Sequence, residues 1–376
     1  MLLFSTIIFL FILWRGILTL KCKWYWKCAA GVVLFCGAYK FRLLHLFGGP
    51  MYFAPVLPRW ILFTGTVMFS IVFTIFFLLL FAEIFRAGYR IYLKIRKKSP
   101  PPKWDAFCCW SNLGILVAAV ILAIIGMYCG SAAPQVTYFT PEIKDLPSSA
   151  RNLRIVLVCD IHLSPQSSDE YIKNLVAQVN KLAPDVVILG GDLVDGNTAT
   201  LGDRIMPLRD LQAKHGVYAV YGNHEYYSGL EEWKNFLREK CNIVWLENSH
   251  VEVRGIAIAG VTDKAAAKKG GDLPNVAQAV RKVPEDMPVI LAAHRPDIAQ
   301  EAEKFWNIRL QLSGHTHGGM ITGFDRLIAL ANGGYVSGAY KKSDKFSVYV
   351  SNGAGIWQGF PVRLGKNAEI TLIELK

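Results

Sequence analysis

Long apolar runs occupy the start of the chain, and short ones recur along the rest. Met1–Leu20 is apolar apart from Arg15 and small residues, and Trp60–Ala82 carries no charge between Arg59 and Glu83. Ser111–Gly130 is a third run of this kind, each long enough to cross roughly 30 Å of hydrocarbon. Ala29–Tyr39 is shorter and closes on Lys40 and Arg42. It spans if Lys27 and Lys40 snorkel while Trp24, Tyr25 and Trp26 lie among the headgroups. The pattern predicts an α-helical membrane region of about four spans over residues 1–134. A secretory signal peptide at Met1–Leu20 is the weaker alternative, because two hydrophobic spans follow and no small-residue cleavage site is present.

From residue 135 the pattern changes. Ile155–Cys159, Val186–Leu189, Val217–Tyr221, Val289–Ala292 and Leu310–Leu312 are short apolar segments without alternation. Helical patterns such as Glu170–Leu182 and Leu230–Lys240 separate several of them. Such segments joined by helices predict an α/β sheet structure covered on both faces. Phe346–Ser351 and Glu369–Glu374 add shorter strands, and the second domain is set at residues 135–376.

Charge sharpens this division. The chain has 41 Lys+Arg against 29 Asp+Glu, a formal net charge of +12. Residues 1–135 hold 14 of those bases and only Glu83 and Asp105 as acids, so the whole excess lies there and the second domain is neutral. A neutral domain excludes nucleic acid as a partner, since binding phosphates needs a basic surface. With four spans, Lys21, Lys23, Lys27, Arg86, Arg90, Lys94, Arg96, Lys97, Lys98 and Lys103 face one side, against Lys40, Arg42 and Arg59 on the other. Positive loops stay in the cytoplasm, which places both termini and the second domain on the extracytoplasmic side. With three spans the bases balance and decide nothing. Six of the eight cysteines (22, 28, 36, 108, 109 and 129) lie in or beside spans. Cys159 and Cys241 are alone in the second domain, so no disulfide framework is expected.

The chemistry stands after each apolar segment. Asp160 and His162 follow the first, and Gly-Gly-Asp-Leu-Val-Asp, with Asp192 and Asp195, follows the second. Asn223, His224 and Glu225 follow the third, His294 the fourth, and Gly-His-Thr-His-Gly-Gly, with His315 and His317, the fifth. Sites in α/β folds form at the carboxyl ends of strands, so five segments would deliver these groups into one crevice. Extended backbone would send both side chains of Asp-x-His and His-x-His to one face. Gly191, Gly222 and Gly314 each precede a candidate ligand and let backbone approach closely. Carboxylate and amide oxygens mixed with imidazoles suit Mn²⁺, Fe or Zn²⁺ better than Ca²⁺ or Mg²⁺. Five of the eight histidines fall in these blocks, while His45, His215 and His250 are expected to be structural.

Asp160-x-His162, Gly191-Asp192-x-x-Asp195, Gly222-Asn223-His224-Glu225, solitary His294 and Gly314-His315-x-His317 together resemble the calcineurin-like metallophosphoesterases. The Ser-Gly-His-Thr-His-Gly-Gly block and the tail Pro361-Val-Arg-Leu-Gly are similar to the YkuE/YaeI-type branch. With its spans, the chain also resembles transmembrane proteins with a metallophosphoesterase domain. The resemblance implies a four-layer α/β/β/α sandwich and two divalent ions, Mn²⁺ first among the candidates. One ion would be held by Asp160, His162, Asp192 and His317, the other by Asp192, Asn223, His294 and His315, with Asp192 bridging.

Two such ions share a water, lower its pKa and polarise a phosphoryl oxygen. The expected activity is therefore metal-dependent hydrolysis of a phosphomonoester or phosphodiester. His224 is the candidate to stabilise the transition state or protonate the leaving group. Asp195 either orients a ligand or caps a helix start, and Glu225 either caps a helix or touches the site. Arg295 either clamps a phosphate or forms a salt bridge. Tyr335, Tyr340, Trp357 and Phe360 either contact an acyl chain or headgroup or pack in the core, with packing favoured. A domain beginning a few residues after Gly130 sits against the bilayer, which favours a lipid-linked or membrane-surface phosphate. The alternatives are a soluble phosphomonoester or phosphoprotein, and a non-hydrolytic membrane sensor or scaffold that keeps the metal-binding domain. A transporter is disfavoured because the spans show no charge at mid-depth. The sequence leaves the oligomeric state open.

Overall fold

A computed structural model describes residues 2–48 and 55–376. By its contacts the chain divides into two units, Met1–Cys129 with Gly359–Val362, and Gly130–Gln358 with Arg363–Lys376.

The first unit is helical. Leu2–Ile12 continues into a π-helical turn at Leu13–Ile17, and Trp24–Ala38, Lys40–Gly48, Arg59–Ile95 and Trp104–Gly130 follow. Ile8, Ile12, Leu34, Ala38, Val72, Leu79 and Ala119 form its buried core. Among the described residues two helices, Arg59–Ile95 and Trp104–Gly130, are long and apolar enough to cross a membrane. Trp24–Ala38 and Lys40–Gly48 make a third candidate only as one span bent by 68°, and Leu2–Ile17 is shorter. By length and composition the described residues thus supply two or three of the four expected spans.

Charge placement also departs from expectation. The helix that carries the Trp60–Ala82 run continues past Glu83 to Ile95. Glu83 pairs with both Arg15 and Arg86, and Arg86 Nη1 reaches Glu83 at 2.6 Å and Asn112 Oδ1 at 2.8 Å. A guanidinium needs such partners to lie among apolar helices. Arg86 and Asn112 are buried, and Arg15 and Glu83 partly so. Lys40 does not snorkel: it is buried, and its Nζ donates to Thr66 Oγ1 at 2.8 Å.

In the second unit the strands are Gln135–Phe139 (β1), Arg154–Val158 (β2), Val186–Leu189 (β3), Val217–Ala219 (β4), Val244–Trp245 (β5) and Ser249–Val253 (β6). They continue with Ile256–Gly260 (β7), Val289–Ala292 (β8), Ile308–Ser313 (β9), Gly338–Lys341 (β10), Ser347–Val350 (β11) and Glu369–Glu374 (β12). Two six-stranded sheets result, in the orders β1-β12-β2-β3-β4-β5 and β10-β11-β9-β8-β7-β6. Alternate residues of each strand serve different cores, as the two-residue strand period requires. Ile155, Leu157 and Ile188 of the first sheet meet Ile258, Ile290 and Leu310 of the second in one buried cluster. Val156, Val158 and Leu189 point the other way, onto Leu175 and Val179 of helix Tyr171–Lys181 and Trp233 and Leu237 of helix Leu230–Cys241. Ala257, Val289 and Leu291 likewise join Val276 and Ala279 of helix Val276–Val280.

β2, β3 and β4 are adjacent and parallel, and so are β7, β8 and β9. Their carboxyl ends therefore open toward common ground from each sheet. Five of the expected strands coincide closely with β2, β3, β4, β8 and β9.

Candidate metal centre

The loop after β2 runs beside the loop after β3 once the strands end. Asp160 N–H donates to Gly191 O and His162 N–H to Asp192 O, both at 2.9 Å. The backbone there is not extended, contrary to expectation. Asp160, His162, Asp192, His315 and His317 all have positive φ, between 48° and 71°. Left-handed backbone costs a non-glycine residue about 1–2 kcal/mol, so the surrounding bonds must hold it in place. The side chains of Asp-x-His and His-x-His converge through this coiling and not through a strand's alternation. Gly191, at φ 89°, makes the turn before Asp192. A Cβ on Gly222 would strike the Asp192 carboxylate, and one on Gly314 the Asp160 carboxylate.

Asp160, His162, Asp192, Asn223, His294 and His317 are buried, and His315 is partly so. His162 Nε2 and His317 Nε2 face each other at 3.1 Å, and His294 Nε2 and His315 Nδ1 at 3.2 Å. Asp192 Oδ2 lies 3.6 Å from His162 Nε2 and 3.3 Å from His294 Nε2, so one carboxylate oxygen touches both pairs. Asp160 Oδ1 is 4.0 Å from His162 Nε2 and 3.8 Å from His317 Nε2. Two imidazole nitrogens on one tetrahedral ion stand about 3.4 Å apart, given bonds of about 2.0–2.1 Å. The donor set thus fits metal ions in chemistry and spacing. Three groups could each hold one: Asp160-His162-His317, His162-Asp192-His224 and Asp192-His294-His315.

Hydrogen bonds fix the tautomers. His294 Nδ1 is 2.9 Å from the Gly190 carbonyl, so Nδ1 carries a proton and Nε2 is the nitrogen turned toward the cage. His162 Nδ1 sits 3.1 Å from Asp195 Oδ2, with the same result. Asp195 also meets His224 Nδ1 at 2.5 Å. It does not cap the next helix, where Asn197 Oδ1 accepts from Thr200 N–H at 3.0 Å.

Burial works against charge on His224 and His294, but Asp192 and its neighbouring carboxylates outweigh it, raising them to about 9 and about 10. Burial and nearby positive groups hold His315 and His317 well below the ordinary histidine range. Burial would raise Asp195, yet His162 and His224 bring it down to about 2. Around Asp192 the carboxylates thus outweigh burial and favour positive charge on His224 and His294.

Of the remaining expected residues, Arg295 and Trp357 also stand beside the cage. Arg295 Nε donates to buried Asp263 at 2.9 Å, its Nη2 donates to Asn223 Oδ1 at 3.1 Å, and its Nη1 lies 2.9 Å from His315 Nε2. Trp357 has its ring 6.1 Å from that of His224. Tyr335 is buried against Tyr340 in the second sheet's outer core, a packing role. His215 and His250 make main-chain contacts elsewhere, with Tyr218 Oη and Ala279 O.

Glu225 takes the capping role that the sequence offered and adds one that it did not. Fully buried, it accepts from Asp192 N–H at 2.9 Å, Leu193 N–H at 2.6 Å and Gly222 N–H at 2.7 Å. It both caps the helix Asn223–Ser228 and fixes the backbone of Asp192.

The family model of calcineurin-like phosphoesterases matches residues 153–319, the stretch that contains all these ligands. An uncharacterized metallophosphoesterase of Helicobacter pylori is 36% identical over 264 residues, 70% of each chain. The chain belongs to this family. Among other metallophosphoesterases, a Danio rerio transmembrane protein with metallophosphoesterase domain is 35% identical, covering 69% of this chain and 62% of that one. The Bacillus subtilis metallophosphoesterase YkuE is 28% identical, covering 64% of this chain and 85% of its own. Both likenesses agree with the branch that the sequence blocks resemble.

Proposed function

We propose that this metallophosphoesterase is a membrane-anchored hydrolase that uses two divalent metal ions to cleave a phosphoester of a lipid-linked or membrane-surface substrate. The observation that carries the reading is Asp192 Oδ2, in reach of His162 Nε2 on one side and His294 Nε2 on the other. Asp160, His162, Asp192 and His317 would hold one ion, and Asp192, Asn223, His294 and His315 the other. Mn²⁺ is our first choice, with Fe and Zn²⁺ compatible with the same donors. The ions would supply an activated water and polarise the phosphoryl oxygens.

The protein's own groups do the rest. His224, oriented by Asp195, stabilises the transition state or gives its proton to the leaving oxygen. Arg295, fixed by Asp263, faces the phosphate from the Asn223–His315 side. The three packing clusters support a four-layer α/β/β/α order behind the loops.

The basic stretch from Arg96 to Lys103 precedes helix Trp104–Gly130, and the catalytic unit follows that helix. In a chain of four spans, retaining positive charge in the cytoplasm would put the catalytic unit on the extracytoplasmic side. A reporter fused after Lys376 should then be active only when exported, and activity confined to the cytoplasm would reverse the assignment.

The substrate test uses the full chain in detergent with extracted membrane lipids, identifying phosphorus-containing products. Release of a water-soluble phosphorus product from lipid is expected. Turnover of soluble esters alone would remove the lipid part of the reading. Two bound ions without turnover of any ester would leave the sensor or scaffold reading.

A further inference from the structure

Arg363 is fully buried, and its guanidinium is spent on main-chain carbonyls. Nη1 donates to His317 O at 3.1 Å, and Nη2 to Asn352 O and Gly355 O, both at 2.7 Å. Nη2 also stands 3.4 Å from His317 Nδ1. Among the described residues no carboxylate pairs with it, and Asp160 and Glu369 act on its charge through space. A buried guanidinium without an ion pair is costly to keep. What it joins accounts for its place.

The segment from Asn352 to Gly355 lines the back of Asp160. Ala354 N–H donates to Cys159 O at 2.8 Å and Gly355 N–H to Asp160 O at 2.9 Å. A Cβ on Gly353 would stand 2.8 Å from Asp160 Cβ, so the backbone itself presses on the ligand. Glu369 secures the segment from its other side, accepting from Asn352 N–H at 3.1 Å and Nδ2 at 3.2 Å. Arg363 therefore ties together His317, which follows β9 of the second sheet, and the support of Asp160, which follows β2 of the first. Both ligands sit on left-handed backbone, at φ 49° and 54°, which needs holding from outside. Asn352, Arg363 and Glu369 all lie beyond the stretch that the family model matches.

We propose that Arg363 is a positioning residue for one metal site, the one formed by Asp160, His162 and His317, and that it holds the two sheets' ligands in register. The inference rests on the two-ion reading above. A lysine would keep the charge but not the planar fork that spans three carbonyls.

The test is Mn²⁺ titration of the full chain in detergent by calorimetry, with bound metal counted by elemental analysis. In the His315→Ala background, the remaining ion should depend on Asp160, His162 and His317. Adding Arg363→Met there should weaken Mn²⁺ binding by about 10–100-fold, the usual effect of losing a ligand's supporting partner. Adding it to His317→Ala should leave the other site's affinity unchanged, and Arg363→Lys should recover part of the loss. Equal weakening in both backgrounds, or none in either, overturns the proposal. If Arg363→Met does not fold, Arg363→Lys carries the same comparison, with selective weakening in the His315→Ala background expected. Wild-type protein that binds fewer than two ions would overturn the two-ion reading and this inference with it.

Discussion

Asp195 and His224 meet at 2.5 Å, Oδ1 to Nδ1, and the same carboxylate receives His162 Nδ1 at 3.1 Å. One buried carboxylate thus orients a proposed catalytic ring and a proposed metal ligand at once. Asp195→Asn should remove both effects, because an amide supplies one acceptor oxygen and no charge. Steady-state kinetics should show kcat lowered by about 10²–10⁴-fold, as for loss of an acid–base residue. Mn²⁺ affinity should fall by about 10–100-fold through His162. Asp195→Asn with unchanged metal affinity would show that His162 needs no such support.

Asp192 stands where both imidazole pairs converge. Asp192→Ala should abolish hydrolysis of a generic phosphodiester and leave less than one bound ion per chain, while the protein still inserts in membranes. Chelation should inactivate the wild type, and Mn²⁺ should restore it. Undiminished turnover by purified Asp192→Ala protein would refute the ligand assignment.

Glu225 touches no proposed ion, yet three buried N–H groups depend on it. Each buried donor left unpaired costs about 1–3 kcal/mol. With three such donors, Glu225→Ala should therefore lower stability by at least about 3 kcal/mol and the melting temperature by at least about 6 °C, at roughly 2–4 °C per kcal/mol for a domain of this size. Calorimetric melting checks this. A melting point within a degree of wild type would mean that the Asp192 loop is held by other contacts.

Much of this was legible in the sequence, because runs such as Val186–Leu189 have no polar position and can only be buried strands. The residues after those runs named the cage, since polar groups at strand ends survive for chemistry or capping. The left-handed backbone of Asp160 and His162 was not legible, because no local rule places aspartate and histidine there in succession. Arg363 could not be found as a partner of His317 either, since only the tertiary fold brings the tail to that loop. The tail block Pro361-Val-Arg-Leu-Gly was the one available signal, and it carried no role. Helix Arg59–Ile95 extends well beyond the uncharged run Trp60–Ala82, and there Arg15 and Arg86 pair with Glu83.

The positive φ of five proposed ligands leads to a last prediction. Strain of this kind persists only where the fold imposes it, which predicts that ion binding adds stability without reorganising the chain. A ligand present at about 100 times its Kd stabilises by about 2.7 kcal/mol. For a domain of this size that corresponds to a melting temperature higher by about 5–10 °C. Mn²⁺ should produce this shift in the wild type, a chelator should reverse it, and Asp192→Ala should show none. Circular dichroism should meanwhile record equal helix and strand content with and without the ion. A large gain of secondary structure on adding Mn²⁺ would instead mean that the ion folds the loops, and the strained backbone would then be a consequence of binding.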